Sequence, residues 1–299
     1  MKTAVIVCSV GRAHMLHETV MSLGRQTVSP IAIVLSLCDV ASVLPETLRL
    51  PGVTIVEGPR GLTTQRNTGL DATPSAADYV LFLDDDAELA PNYLASMQNL
   101  LDSRADIATA SAHLVIDGLQ AGYLLTREEA IAAIARYRSE SGIEVGEGIS
   151  GSNIFVRRSI AEQVRFDERL PLSGWLEDYD FSIRSRAHGL VVWNLETCVA
   201  HLGMQRAGRE RGFLVGYAHI ANSYYLWQKG VIPSFGKLLG TFWLPAFART
   251  FQGLLRRWFS RNPVWRRRFD HPGRLWGNTQ ALFDAARHRL TPERLLDFV

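Results

Sequence analysis

The sequence predicts an α/β fold: a mostly parallel sheet flanked by helices, with a helical extension at the C-terminal end. Three observations carry that reading. Short, almost unbroken apolar runs recur in the first hundred residues: TAVIVCS at 3–9, IAIVLSL at 31–37, VTIVE at 53–57 and YVLFL at 79–83. A strand that is apolar throughout is covered on both faces, as in parallel sheets. Between the runs the apolar residues return at helical spacing, and strands that alternate with helices build a parallel sheet. Finally, the chain beyond Gly208 reads as helical and basic.

Taken in order, Thr3–Ser9 is a first strand of largely β-branched residues, ended by Gly11 and Arg12. Residues 14–23 place Leu16, Val20 and Leu23 on one helical face. Two strands follow, then the turn Gly58-Pro59-Arg60-Gly61, a helix over 63–70 and the fourth strand. Pro91 and Asn92 open a helix with Tyr93, Met97, Leu100 and Leu101 on one side. After residue 105 the pattern is mixed. Residues 106–114 and 153–156 read as strands, 139–152 (SESGIEVGEGISGS) as a Gly/Ser-rich loop over the site, and 177–188 as a helix. Residues 191–193 and 197–200 read as two short strands leading to His201. The expected division is 1–205, with halves 1–105 and 106–205, followed by a basic helical region at 206–299. In such sheets ligands bind beyond the carboxyl ends of the strands. Ser9, residues 36–39 and residues 84–86 all occupy such ends.

The chain has 299 residues, 47% hydrophobic and 21% charged, a composition that supports a sizeable core and excludes disorder. The net charge of +2 hides an asymmetry. Residues 1–199 hold 16 Lys/Arg against 25 Asp/Glu, whereas 200–299 hold 16 against 5. A basic end of this kind suits an anionic surface, lipid or nucleic acid. Residues 231–269 combine Lys237, Arg249, Arg256, Arg257, Arg261 and Arg266, Arg267 and Arg268 with Trp243, Trp258 and Trp265. That suits a helix lying in an anionic membrane surface, kinked or divided at Pro245. It suits equally a helix packed on the rest of the chain or in a homodimer. No nucleic-acid motif accompanies the arginines, so nucleic acid is not expected. Cys8, Cys38 and Cys198 lie far apart without metal spacing, which fits a reducing compartment. The N-terminus is too quickly broken to be a secretory signal, and no apolar run reaches the ~18 residues of a membrane span. The expected location is cytoplasmic, peripheral to the inner face of the membrane.

Three consecutive carboxylates, Asp84, Asp85 and Asp86, follow the fourth strand in LFLDDDAEL. On an extended segment the outer two point to the same side and can hold a divalent ion, Mn²⁺ or Mg²⁺. Alone, the triplet reads equally as a solvated acidic turn. In Trp175-Leu176-Glu177-Asp178-Tyr179-Asp180 the acids suit either a helix N-terminus or a base that takes a proton from a hydroxyl. His201 ends an apolar strand, as a hydrogen-bonded edge residue or a metal ligand. Arg66 and Asn67 suit a surface cap or a diphosphate contact.

These pieces occur together in a familiar order. AVIVCSVGR, GLTTQRNTGL, LFLDDDAEL, then GISGSNIFVRRSIAEQVRFDERLPLSGWLEDYDFSIRSRAHGL and finally VAHLGM resemble the family 2 glycosyltransferases over roughly residues 3–230. The long fourth segment is the most specific of them. The resemblance implies a GT-A fold, a Rossmann-like sheet flanked by helices. It also implies inverting transfer of a sugar from a nucleoside diphosphate, UDP or TDP, to a hydroxyl of a glycan or lipid-linked acceptor in bacterial surface polysaccharide or glycolipid synthesis. By the same resemblance Asp86 and His201 hold the metal, Asp84 and Asp85 face the nucleotide, and Ser9, Arg12 and Arg66 line its pocket. Asp178 is implied as the general base and Glu177 as a residue that positions a sugar. Two strand ends depart from the family pattern: Cys8-Ser9-Val10-Gly11-Arg12 replaces Pro-Thr-Tyr-Asn-Arg, and Ser36-Leu37-Cys38-Asp39 replaces Asp-(Asp/Asn)-Gly-Ser. Asp39 is thus the candidate for base recognition. Two competing classes are an aspartyl-phosphate phosphatase, disfavoured because Ala87 and Glu88 follow the acids, and a non-catalytic nucleotide-sugar-binding or membrane-docked scaffold.

Overall fold

The computed structural model describes residues 1–118, 125–203, 212–259 and 271–299. The chain forms two compact units, Met1–Phe166 with Phe181–Gly208, and Asp167–Asp180 with Arg209–Val299.

The first unit is built on a nine-stranded sheet. Its strands are β1 Thr3–Ser9, β2 Ala32–Leu37, β3 Val53–Glu57, β4 Tyr79–Asp84, β5 Ala87–Leu89, β6 Ile107–Asp117, β7 Ile143–Val145, β8 Asn153–Arg157 and β9 Leu190–His201. The order is β3-β2-β1-β4-β8-β6-β9-β5, and β7 also pairs with β9. Pairing is parallel through β3, β2, β1 and β4, the apolar runs of the sequence. Beyond β4 the sheet is mixed: β8 runs antiparallel to both neighbours, and β6 and β9 are parallel.

Alternation along each buried strand feeds two cores. Val5, Val7, Leu81 and Leu83 face one side with Leu16 and Val20 of helix α1 (Ala13–Leu23) and Tyr93 and Met97 of α3 (Tyr93–Ser103). Ile6, Val80 and Phe82 face the other with Leu70 of α2 (Leu62–Asp71). There the Phe82 ring meets Phe166 edge-on at 4.9 Å, and Phe166 stacks on Phe181 at 4.6 Å. Helix α2 lies so close to β1 that a Cβ on Gly69 would sit 2.4 Å from Cγ2 of Ile6.

Several elements differ from the sequence expectation. Helix α4 (Arg127–Arg136), with its capping box between Thr126 and Glu129, was not expected, nor was β5. The loop expected at 139–152 contains β7, held by β9. The two short strands expected before His201 are one strand. Its register against β6 jumps from Ala112↔Asn194 to His113↔Cys198, so residues 195–197 bulge out and pairing resumes. Helix α5 (Arg158–Val164) follows β8 directly.

The second unit is helical. Helix α6 (Glu177–Ser185) starts in it, and α7 (Gly212–Gln228), α8 (Leu244–Phe259) and α9 (His271–Ala286) complete it. A Cβ on Gly216 would reach the Arg274 carbonyl oxygen at 2.1 Å, and one on Gly277 the Phe213 carbonyl oxygen at 2.0 Å, so α7 and α9 touch backbone to backbone. The buried Tyr217 hydroxyl donates to Asp284 at 2.8 Å. Asp167 accepts from Tyr225 at 2.8 Å and from Lys229 at 2.6 Å, and Lys229 also binds Asp180 at 2.7 Å. A π-helical stretch, Leu238–Trp243, precedes α8 at the expected break. Pro245 has no N–H for the carbonyl four residues back, which disfavours regular α-helix there. Among the described residues no helix is long and apolar enough to cross a membrane. Residues 260–270, which include Arg261, Trp265 and Arg266 to Arg268 of the expected membrane segment, lie outside the described residues.

Candidate active site

The acidic triplet forms the turn between β4 and β5, and sheet register decides what it meets. Cys8 pairs with Asp84, so the ends of β1 and β4 are level. Ala87 pairs with His201, which brings the end of β9 to the same turn. Gln65 of α2 ties the strand ends together by donating to the Ser36 carbonyl at 2.8 Å and the Ser9 carbonyl at 3.2 Å.

Each of the three carboxylates has a cationic neighbour. Asp84, 27% exposed, meets Arg66 at 3.2 Å. Arg66 itself is buried, donates to the Gly151 carbonyl at 2.7 Å and lies 5.0 Å over the Phe166 ring. Asp85 is fully buried. It accepts from the Ser9 hydroxyl at 2.5 Å and from Arg12 Nε at 3.0 Å, and Arg12 contacts its second oxygen as well. The backbone carbonyl of Asp85 accepts from Thr19 at 2.6 Å, which pins the turn to α1. Asp86 is 3% exposed. Its Oδ2 faces Arg12 at 3.2 Å and its Oδ1 faces Nε2 of His201 at 3.3 Å. His201 Nε2 is 3.8 Å from Asp84, and Nδ1 is 3.1 Å from Asp117.

This packing governs ionisation. Burial pushes the Asp85 carboxyl above its ordinary value, against the pull of Arg12. Burial works against the charge on Arg12, but Asp85, Asp86 and Asp84 outweigh it and raise its pKa. Burial likewise opposes the His201 imidazolium, yet Asp86, Asp117 and Asp84 hold its pKa well above the usual histidine value. The imidazolium thus supplies positive charge between two carboxylates, and a metal ion could take over that role by displacing its Nε2 proton.

Asp84, Asp86 and His201 each offer a ligand atom, and these atoms lie within 4.8 Å of one another. Two carboxylate oxygens and an imidazole nitrogen so close together form a donor set that fits a divalent ion. The sequence-predicted Ser9, Arg12, Arg66, Asp84, Asp85, Asp86 and His201 are therefore joined by direct contacts. Within that group Asp85 is spent on Ser9 and Arg12. Asp39 stands at the end of β2, where its side chain accepts from Ala41 N–H at 2.9 Å in a local cap. Glu177 and Asp178 occupy the first turn of α6, and Asp178 Oδ1 accepts from Tyr179 N–H at 2.7 Å. The segment before them carries two non-glycine residues in the left-handed region, Leu172 (φ 59°) and Leu176 (φ 71°). Such conformations cost about 1–3 kcal/mol each and concentrate at functional sites.

Sequence reasoning missed Gln65, Gly151 and Asp117. Gly151 lies in GISGS and acts through its carbonyl; Asp117 stands beyond the strand expected at 106–114. No periodicity marks either one.

The family model for glycosyl transferase family 2 matches residues 4–165, more than half of the chain, and the chain belongs to that family. Solved structures agree on a GT-A fold. The mannosyltransferase PcManGT from Pyrobaculum calidifontis, in complex with GDP-Man and Mn²⁺, is similar over 97% of this chain and 87% of its own, at 14% identity and TM-score 0.58. GalNAc-T7 with UDP, GalNAc and Mn²⁺ is similar over 97% of this chain and 58% of its own, at 15% identity and TM-score 0.56. S. aureus TarS 1-349 in complex with UDP-GlcNAc is similar over 76% of this chain, at 14% identity and TM-score 0.52, and the match spans 66% of that structure. At these identities the likeness is one of fold. No curated protein matches the sequence.

Proposed function

We propose that the chain is an inverting, metal-dependent glycosyltransferase that moves a sugar from a nucleoside diphosphate, UDP or TDP, to a hydroxyl of a glycan or lipid-linked acceptor. The observation that carries this reading is the cluster that Asp84 and Asp86, at the carboxyl end of β4 within the family 2 match, form with His201 at the end of β9. A divalent ion held there would neutralise the charge that develops on the leaving diphosphate. Mn²⁺ is favoured over Mg²⁺, whose ligands are nearly all oxygens, because one donor is an imidazole. Arg12 holds Asp86 Oδ2 and leaves Oδ1 directed at His201. Arg66 keeps Asp84 in place and adds positive charge near the diphosphate.

Asp178 is the proposed base that removes the acceptor hydroxyl proton during attack, and Glu177 the residue that positions a sugar. Support comes from the family resemblance and from the placement of both acids at the N-terminal turn of α6, after the left-handed Leu176. One displacement with one base inverts the anomeric centre. The proposed setting is synthesis of bacterial surface polysaccharide or glycolipid at the inner face of the cytoplasmic membrane. Helix α8 supports that setting, because Leu244, Ala248, Phe251 and Leu255 are exposed at a spacing that puts them on one face. Substituting Leu244, Phe251 and Leu255 with serine would abolish co-sedimentation with anionic liposomes if that face binds lipid; unchanged co-sedimentation would refute it.

The direct test of the donor is calorimetric titration with UDP, GDP, TDP and CDP, each with Mn²⁺ and with chelator. The proposal expects Mn²⁺-dependent binding with preference for one base. Binding of none of the four would overturn it.

A further inference from the structure

Asp117 is the last residue of β6 and pairs in register with His201, the last residue of β9. Both side chains are largely buried, 13% and 12% exposed, and Nδ1 of His201 lies 3.1 Å from Asp117 Oδ1. The strands are locked at this point. A Cβ on Gly118 would fall 2.0 Å from the Leu202 carbonyl oxygen, so no side chain fits between the residues that follow the pair. Asp117 is not one of the three residues whose ligand atoms cluster within 4.8 Å. Its carboxylate faces the opposite nitrogen of the ring.

A histidine can bind a metal only through a nitrogen that presents a lone pair. A carboxylate that accepts Nδ1–H keeps a proton on that nitrogen, so the other nitrogen is the one from which a metal ion displaces the proton, and it fixes the ring plane. In this protein the other nitrogen is Nε2, the one that faces Asp86 at 3.3 Å and Asp84 at 3.8 Å. We infer that Asp117 is a positioning residue of the metal site: it selects the His201 tautomer and aims Nε2 at the gap between Asp84 and Asp86. The inference rests on the reading of that cluster as a divalent-ion site and adds a residue that touches neither ion nor substrate.

The test is titration of the full chain with Mn²⁺ alone, read by the electron paramagnetic resonance signal of the free ion. Wild type is compared with Asp117→Ala, Asp117→Asn and His201→Ala, and thermal melts report folding. Asp117→Ala is expected to weaken Mn²⁺ binding by roughly 10–100-fold at an unchanged melting temperature. Asp117→Asn keeps an oxygen that accepts from Nδ1–H and should fall between the two; it carries the test if the alanine variant does not fold. A purely structural role would lower the melting temperature and leave the affinity of the folded protein alone. Mn²⁺ affinity within twofold of wild type in the Asp117 variants, while His201→Ala weakens it, would overturn the positioning role and leave the metal site standing. Absence of Mn²⁺ binding to wild type would overturn both.

Discussion

Replacing Arg12 with methionine keeps most of the side chain's length and removes the cation shared by Asp85 and Asp86. Asp85 would remain fully buried, with the Ser9 hydroxyl as its side-chain donor and no opposite charge. Removing one partner of a buried ion pair costs roughly 3–5 kcal/mol. Because the Arg12 side chain is 24% exposed, the low end applies, about 3 kcal/mol. In a domain of 150–250 residues that lowers the melting temperature by about 6–12 °C. The sign of the pH dependence also follows. Burial already raises the Asp85 pKa, and loss of Arg12 raises it further. A folded-state pKa above the unfolded one contributes stability that is complete at low pH and is lost as pH rises through the folded value. The deficit of the variant should therefore be small near the unfolded carboxylate pKa and grow toward pH 8. Asp85→Asn in the same background removes the stranded charge and should restore part of the loss. Thermal melts from pH 4.5 to 8 read all of this. A variant that melts with wild type, or a deficit that neither varies with pH nor responds to Asp85→Asn, would refute the reasoning.

Asp178→Asn should lower the rate by roughly 10²–10⁴ and leave donor affinity intact; near-normal turnover would remove Asp178 from the mechanism. Gly69→Ala puts a methyl group 2.4 Å from Ile6 Cγ2 and should cost about 1–3 kcal/mol by denaturant melts, whereas a neutral effect would show that α2 can shift away from β1. Burial, with Arg274 and Arg249, lowers the His219 pKa to about 3. Below pH ~6.5 the unfolded chain takes up a proton that the folded chain refuses, so stability falls with pH, by at most about 2 kcal/mol at pH 5. His219→Gln should flatten that slope between pH 7 and pH 5; an unchanged slope would assign it to other groups.

The parallel half of the sheet was legible because β1, β2 and β4 are buried on both faces and announce themselves as apolar runs, and the half-buried edge strand β3 keeps enough β-branched residues to be read beside them. Helix α4 escaped although its capping box is local, whereas the sheet elements that escaped are short or depend on partners. β5 has three residues and exists because β9 pairs with it. The 195–197 bulge splits the hydrophobic signal of β9 although pairing continues on both sides. At the site, the acids and His201 were visible as residue types at strand ends. The contacts among the site residues were not. Arg12 reads from the sequence as part of a nucleotide pocket, and the structure commits its guanidinium to Asp85 and Asp86. Asp117 lies 84 residues from His201, and only the register of β6 on β9 joins them. Hydrophobic periodicity does not encode such register, so a buried charge pair across it stays unread until the strands are placed.

The central claim is sugar transfer that depends on an ion held by Asp84, Asp86 and His201. The measurement that tests it most directly is release of nucleoside diphosphate from the preferred donor, in the presence of a panel of glycan and lipid-linked sugar acceptors, by wild type and Asp86→Ala, each with Mn²⁺ and with chelator. The account predicts release by wild type with Mn²⁺, and loss of it both with chelator and in the variant. Equal release in chelator, or by Asp86→Ala, would contradict it.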